Sequence, residues 1–485
     1  MAGNTPQIRG CSVKTLFAAL LCYLGSFVIA AGGEDAASEF RAGAAIADIT
    51  PQRLPVSMTG SFQDRQATDV HDALNARCLV MESGDTQVAI VVCDSCLITR
   101  DIYDEAKRRA SESTGIPVSR MMTAATHTHT AATAVALAQC HPDPDYLEYL
   151  TAQIARAIER AHARLGPAGA GWAVGEEPGE VSNRRWFVKP EGINADPFGR
   201  PDDRVRTNPP RGSDLLIEPA GPVDPEVALL SIESADGEPL SVLANYSLHY
   251  VGGIPPDQLS ADYFGEFARQ IGDRLEADEE FVGIMSNGTS GDVNNYNFVE
   301  PRDPAAPFER CRQVAGRIAD VAAEARASIE HAPVSLAMME RPLTLGVRQP
   351  DENELERARE VLAAAADPER LNMQELYAQE TVRLAEGPET VEIKLQAVRI
   401  GDLAVVSIPC EVFAEIGLEI KERSPFETTF TIGLANGYNG YLPSPRQHAL
   451  GGYETWRSGW SYLEVDASTK IAAVLYEMLD ELAER

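Results

Sequence analysis

The sequence predicts a mixed α/β fold, with layered mixed β-sheets flanked by helices. Three observations carry this. Apolar runs of strand length alternate with stretches of helical periodicity over most of the chain. Two pairs of such runs are joined by turn sequences, Ser83-Gly84-Asp85-Thr86 and Ser234-Ala235-Asp236-Gly237. No internal repeat or clean linker divides the chain, so one large domain over residues 31–485 is expected.

In chain order, residues 76–82 and 87–92 form the first hairpin. Residues 101–114 read as a helix stopped by Gly115 and Pro117. A short strand at 120–125 runs into Thr126-His127-Thr128-His129-Thr130, and residues 145–165 have the pattern of a long amphipathic helix. The second hairpin spans 228–233 and 240–248. A helix at 262–277, a strand at 281–285 and a helix at 308–329 follow. Residues 183–225, rich in Pro, Gly, Asp and Arg, show little pattern and read as a functional loop or a disordered one. Residues 352–385 read as a polar helical pair, a candidate insertion. Strands at 390–400 and 403–408, a helix at 411–424, a strand at 428–434 and a helix from 467 to the end complete the pattern.

The first thirty residues read as a signal peptide. Arg9 and Lys14 precede an almost wholly apolar stretch at 16–31, which is short and poorly flanked for a membrane span, and small residues follow around Ala30. The mature chain is therefore expected outside the cytoplasm, secreted or periplasmic, with no stable membrane insertion; an uncleaved anchor is the alternative. The formal net charge of −31, from 73 Asp+Glu against 42 Lys+Arg, argues against nucleic acid as a partner and reads first as a solvated surface. Six cysteines follow the leader. Cys93 and Cys96 have redox-like spacing but end an apolar strand, which favours buried thiols or one structural disulfide over redox chemistry.

The residues that carry chemistry gather at predicted strand ends, where the active sites of sheet-based enzymes lie. His127 and His129, two apart, project to one side if strand geometry persists, and the flanking threonines are positioned to hold their tautomers. His249 ends the run Leu243-Ala244-Asn245-Tyr246-Ser247-Leu248. Glu411 follows Ile408-Pro409-Cys410 at a predicted helix start. Each has an ordinary alternative: polar loop residues for the His pair, a satisfied core histidine for His249, a helix cap for Glu411. Together, two His and a carboxylate match a catalytic zinc set that leaves room for water.

The ordered motifs resemble the neutral ceramidase family, across most of the mature chain. Residues 42–51, Val70-His71-Asp72, Asp94, Thr126-His127-Thr128-His129-Thr130, His249, Pro409-Cys410-Glu411 and the Asn436–Pro443 segment each resemble a family segment, in order. The resemblance implies a fold like that family's catalytic domain and a Zn2+ ion held by His127, His249, Glu411 and Tyr441. It implies His129 as acid/base partner on the substrate side, Tyr453 as oxyanion donor and Arg184, of the Asn183-Arg184 pair, as substrate contact. Asn294 and Tyr438 are assigned to substrate binding. The implied reaction is hydrolysis of the amide bond in an N-acyl, lipid-like small-molecule substrate. The sequence departs from the pattern in Ser290-Gly291-Asp292-Val293-Asn294-Asn295, where the family has Ser and Pro at the last two positions, and a C-terminal immunoglobulin-like domain is not expected. An ester or lactone hydrolase using the same metal, and a non-catalytic binding protein on the same scaffold, are the competing readings.

Overall fold

The computed structural model describes residues 40–300, 304–368 and 370–485. The expected signal peptide lies outside the described residues. The described residues form one compact unit.

Its larger sheet has eight strands: β1 (Phe40–Asp48), β2 (Asn75–Ser83), β3 (Thr86–Cys93), β4 (Met121–Ala125), β5 (Gly166–Glu176), β6 (Glu226–Ser234), β7 (Pro239–Tyr246) and β8 (Val282–Asn287). Their order is β8-β7-β6-β5-β1-β2-β3-β4. The two outermost pairs, β7 with β8 and β3 with β4, are parallel, and the interior pairs are antiparallel. A second sheet, β9 (Leu336–Gly346), β10 (Thr390–Ile400), β11 (Leu403–Ser407) and β12 (Thr428–Ile432), is ordered as numbered and closes with a parallel pair.

The two sheets pack face to face. Their shared core joins Leu79, Ile90, Leu230, Leu243 and Ile284 to Val398, Leu403, Val405, Phe430 and Ile432. The outer face of the larger sheet is covered by α1 (Arg100–Thr114) and α2 (Pro144–Ala163) at one end and by α3 (Asp262–Arg274) and α4 (Glu309–Arg326) at the other. The second sheet is backed by α6 (Met373–Glu386), α7 (Ala414–Arg423) and α8 (Ala467–Ala483), with α5 (Glu352–Ala363) packed on α6. The result is helices, sheet, sheet, helices, in agreement with the layered mixed fold predicted.

Local chemistry explains the boundaries. Asp143 caps α2 by accepting from the Asp145 amide, with Pro144 at the first helical position. Gly115, at φ 79°, ends α1 in the left-handed region. The polar pair α5–α6 opens each helix with a capping box, Asp351 with Glu354 and Asn372 with Glu375.

Two expectations are corrected. Residues 183–225 are not a featureless loop: Arg185–Val188, Val205–Thr207 and Leu216–Pro219 form a small antiparallel sheet. Glu411 does not begin a helix; it lies on the two-residue strand Glu411–Val412, paired with Tyr441–Leu442, and α7 starts after it. Of the two alternatives expected for Cys93 and Cys96, buried thiols or a disulfide, the structure shows the first: the six cysteines among the described residues are free and buried.

Candidate active site

Five segments that follow strand C-termini meet at one end of the sandwich. They bring His127 from the end of β4, His249 from β7, Ser290 from β8, Glu411 from β11, and Tyr438 and Tyr441 from β12. The histidine loop leaves strand geometry at once: His127 has φ 76°, a backbone region costly for a non-glycine residue. The surroundings over-determine that conformation. The His127 amide donates to the Ser95 carbonyl at 2.9 Å, and the Asn287 side chain donates to the Thr126 carbonyl at 3.1 Å. Thr128 and Thr130 both donate to the Ser260 carbonyl, at 2.8 and 3.0 Å, and the Ser260 hydroxyl donates to Asp72 at 2.6 Å. The threonines therefore hold the backbone, not the imidazole tautomers expected of them.

Backbone carbonyls fix the tautomers instead. Nδ1 of His127 lies 3.0 Å from the Cys96 carbonyl, Nδ1 of His249 3.1 Å from the Ser290 carbonyl, and Nδ1 of His129 3.0 Å from the Gly60 carbonyl. A carbonyl only accepts, so each ring carries its proton on Nδ1 and turns a bare Nε2 inward. Those Nε2 atoms face one another: His127 to His249 at 3.0 Å, and His127 to His129 at 3.2 Å. Oε2 of Glu411 completes the convergence, 3.2 Å from Nε2 of His127 and 3.9 Å from that of His249. Its other oxygen accepts from the Tyr438 hydroxyl at 3.1 Å, while Oε2 itself is buried without a hydrogen-bond donor.

Lone pairs pointed at one another without a proton or cation between them repel. A tetrahedral zinc site, with bonds of about 2.0–2.1 Å, places its ligand atoms roughly 3.3 Å apart. The separations here bracket that value, and the orphaned Glu411 oxygen finds its partner in the same ion. The residues thus fit a metal of this class, and His127, His249 and Glu411 are the donor set that would hold it. Tyr441 pairs in register with Glu411 and lines the same cavity, which places it beside the three.

Electrostatics agree. Burial disfavours a charged His127, but Cys96 and Glu411 outweigh it and lift the ring to about 10. His249 and His129 are pushed well below the usual histidine range, by burial first and by neighbouring cations next. In the metal-free protein the charge on His127 is a proton on its Nε2 facing Glu411, at the point where a bound cation would take its place. Burial raises the phenols of Tyr438, Tyr441 and Tyr453 well above the ordinary range, so all three remain protonated donors.

A cavity of about 240 Å³ opens beside the cluster. His127, His129 and Glu411 form its polar end, and Phe62, Leu97, Leu137, Tyr438, Tyr453 and Trp460 form its apolar walls. A larger cavity, about 430 Å³, lies beside Arg77 and Glu266 and contains none of the predicted site residues.

The fold can be placed at this point. Among solved structures the chain matches the neutral ceramidase from Pseudomonas aeruginosa, with a TM-score of 0.70 and 19% identity over 92% of this chain and 75% of that one. It matches a ceramidase complexed with C2 equally well, at 0.70 and 19%, over 92% of this chain and 76% of the other. The fold is that of a neutral ceramidase. No protein-family profile matches the sequence, and no curated protein matches it significantly.

Within the ceramidase fold the predicted residues separate into two groups. His127, His129, Glu411, Tyr438, Tyr441 and Tyr453 line the cavity. His249, Arg184 and Asn294 stand behind its wall. Arg184 donates to Glu454 at 2.8 Å and to the Gly291 carbonyl at 2.7 Å, reaches within 3.4 Å of Nε2 of His249, and lies over the Tyr441 ring. It meets the site through those two side chains. Asn294 donates to Asn208 at 2.6 Å. Sequence reasoning missed the part Tyr438 takes in fixing Glu411, and it missed Glu454, whose carboxylate bonds Arg184, Arg185 and Thr207. Glu454 was legible only as the neighbour of Tyr453.

Proposed function

We propose that the protein is a metal-dependent hydrolase that cleaves the amide bond of an N-acyl substrate, with zinc as the metal. The observation that carries this reading is the convergence of three potential ligand atoms, from His127, His249 and Glu411, beside an apolar cavity. The solved proteins with this fold are named as ceramidases, which supports a lipid-like N-acyl substrate. Zinc bound there supplies Lewis acidity, polarising a carbonyl and lowering the pKa of water.

The chain's own residues perform the rest. The apolar walls hold the acyl group so that the scissile carbonyl lies toward His127 and Glu411. Nε2 of His129, bare because Nδ1 is committed to Gly60, takes the proton of the attacking water and passes it to the amine nitrogen as the C–N bond breaks. The Tyr453 hydroxyl donates to the carbonyl oxygen as negative charge develops on it. Arg184 keeps a positive charge behind His249 and Tyr441. The protein acts outside the cytoplasm after removal of its first thirty residues; among the described residues, no helix is long and apolar enough to cross a membrane.

The test is elemental analysis of purified protein together with hydrolysis of matched amide and ester substrates. Stoichiometric zinc and turnover of the amide are expected. Zinc with turnover of the ester alone reassigns the bond, and protein that takes up no zinc on reconstitution refutes the reading.

A further inference from the structure

Strands β9 and β10 are adjacent and antiparallel, in continuous register from Leu336↔Ile400 to Gly346↔Thr390. Such a pair needs a connection of only about 2–5 residues. The chain instead spends residues 347–389 there, including α5 and α6. The register does not require that length, so its further use must be sought in what the segment touches beyond the sheet.

Through Leu371 and α6 the segment touches residues of the cavity's apolar wall. Leu371, between the two helices, donates its amide to Gln139 at 2.8 Å, and its carbonyl accepts from Gln63 at 2.9 Å and from Gln139 at 3.3 Å. Gln139 also donates to the Phe62 carbonyl at 2.8 Å. The loops carrying Phe62 and Leu137 are thereby tied to one backbone position of the insertion. On the other side, Tyr377 of α6 accepts from the Trp460 indole at 3.3 Å, and Glu380 accepts from the Gly459 amide at 2.9 Å. Phe62 packs on Trp460 and on Tyr453, with centroids 5.5 and 5.8 Å apart. Aromatic side chains braced on several sides by hydrogen bonds and ring contacts do not give way cheaply.

The space they line is small, about 240 Å³, and opens on one side to solvent. Pockets for drug-sized ligands run from about 300 to 1,000 Å³. We infer that the α5–α6 insertion is the specificity element of the site, and that it limits the bound acyl group to a compact apolar one, of hexanoyl to octanoyl or phenylacetyl size. This rests on the hydrolase reading for its chemistry but not for its measurement.

The experiment is calorimetric titration of the zinc-supplemented protein with straight-chain carboxylates from butanoate to hexadecanoate, each below its micellar concentration, alongside hydrolysis of the matching N-acyl amides. Each methylene that enters the cavity is worth about 0.8 kcal/mol, or about fourfold in Kd. The expected result is that gain per carbon up to about octanoate, a flat or weakening response beyond it, and a shift of the break to longer acids in Phe62→Ala and Gln139→Ala. Affinity that climbs steadily to hexadecanoate overturns the inference, as does a break that neither variant moves, or a failure of every acid to bind. The amide arm reads the parent proposal separately. A break without turnover removes the hydrolase and leaves the specificity element; turnover without a break does the reverse.

Discussion

Two buried ionic clusters meet at Arg184 and are built on opposite terms. In one, Glu454 is fully buried and shares its carboxylate among Arg184, Arg185 and the Thr207 hydroxyl, all within 2.8 Å. Burial alone would raise its pKa, but the two guanidinium groups outweigh that and hold it below the ordinary value. In the other, His127, His249 and Glu411 are as deeply buried, yet turn acceptors toward acceptors and leave Oε2 of Glu411 without a donor. A buried polar group without a partner costs free energy that folding does not recover. The first cluster is complete as a protein. The second closes only when a proton or a metal ion stands between its acceptors, and that difference separates scaffold from candidate site.

Substitution should break the two clusters in different ways. The largest effect is expected from His249→Ala: the bound metal and the hydrolytic activity are both lost, read by elemental analysis and by turnover, while the fold persists by circular dichroism. Glu454→Gln should invert that pattern. Leaving two buried guanidinium groups short of their carboxylate is expected to lower the unfolding free energy by about 3–5 kcal/mol in denaturant titration, with metal still bound in the folded protein. Tyr453→Phe removes one hydrogen-bond donor from the cavity, and a drop in kcat of about 10²–10³ is expected, with zinc content unchanged. Normal kcat in that variant removes Tyr453 from the mechanism.

A third buried charge sharpens the contrast. Lys107 is wholly buried on α1 and donates to the Asn436 side chain, and burial lowers it to about 7 from 10.5. Between those values the unfolded chain holds the proton and the folded one does not, so stability should rise with pH from about 7 toward 10, by at most about 1.4 kcal/mol per unit. Lys107→Met should flatten that slope in melts taken across the window. The smallest effect is expected from Asn294→Ala, whose amide serves Asn208: kcat/KM should change little. A large loss there would show that this side chain leaves Asn208 for the substrate.

The sequence spoke clearly wherever burial is written as apolar side chains. Strands β2, β3, β6, β7, β10 and β11 were legible for that reason, as were the amphipathic helices. Strand β5, Gly-Pro-Ala-Gly-Ala-Gly-Trp-Ala-Val-Gly-Glu, was not, although it sits mid-sheet between β6 and β1. Its glycines are there for close approach: a Cβ on Gly171 would fall 2.1 Å from Ile329, and one on Gly175 would fall 2.4 Å from Val321 of α4. Buried surface made by a neighbour leaves no hydrophobic trace in the strand itself. In the site, the grouping of His127, His249, Glu411 and Tyr441 could be read from strand ends and motif order. The left-handed His127 backbone and the three carbonyls that orient the rings could not, because they are properties of chain path.

The uninterrupted register of β9 and β10 has a consequence for how such a protein can change. The insertion leaves the sheet at Gly346 and rejoins it opposite, at Thr390, so the strand leading on to Glu411 is laid down independently of what the loop contains. That contiguous segment can be lengthened, shortened or exchanged without disturbing the register that leads to the carboxylate.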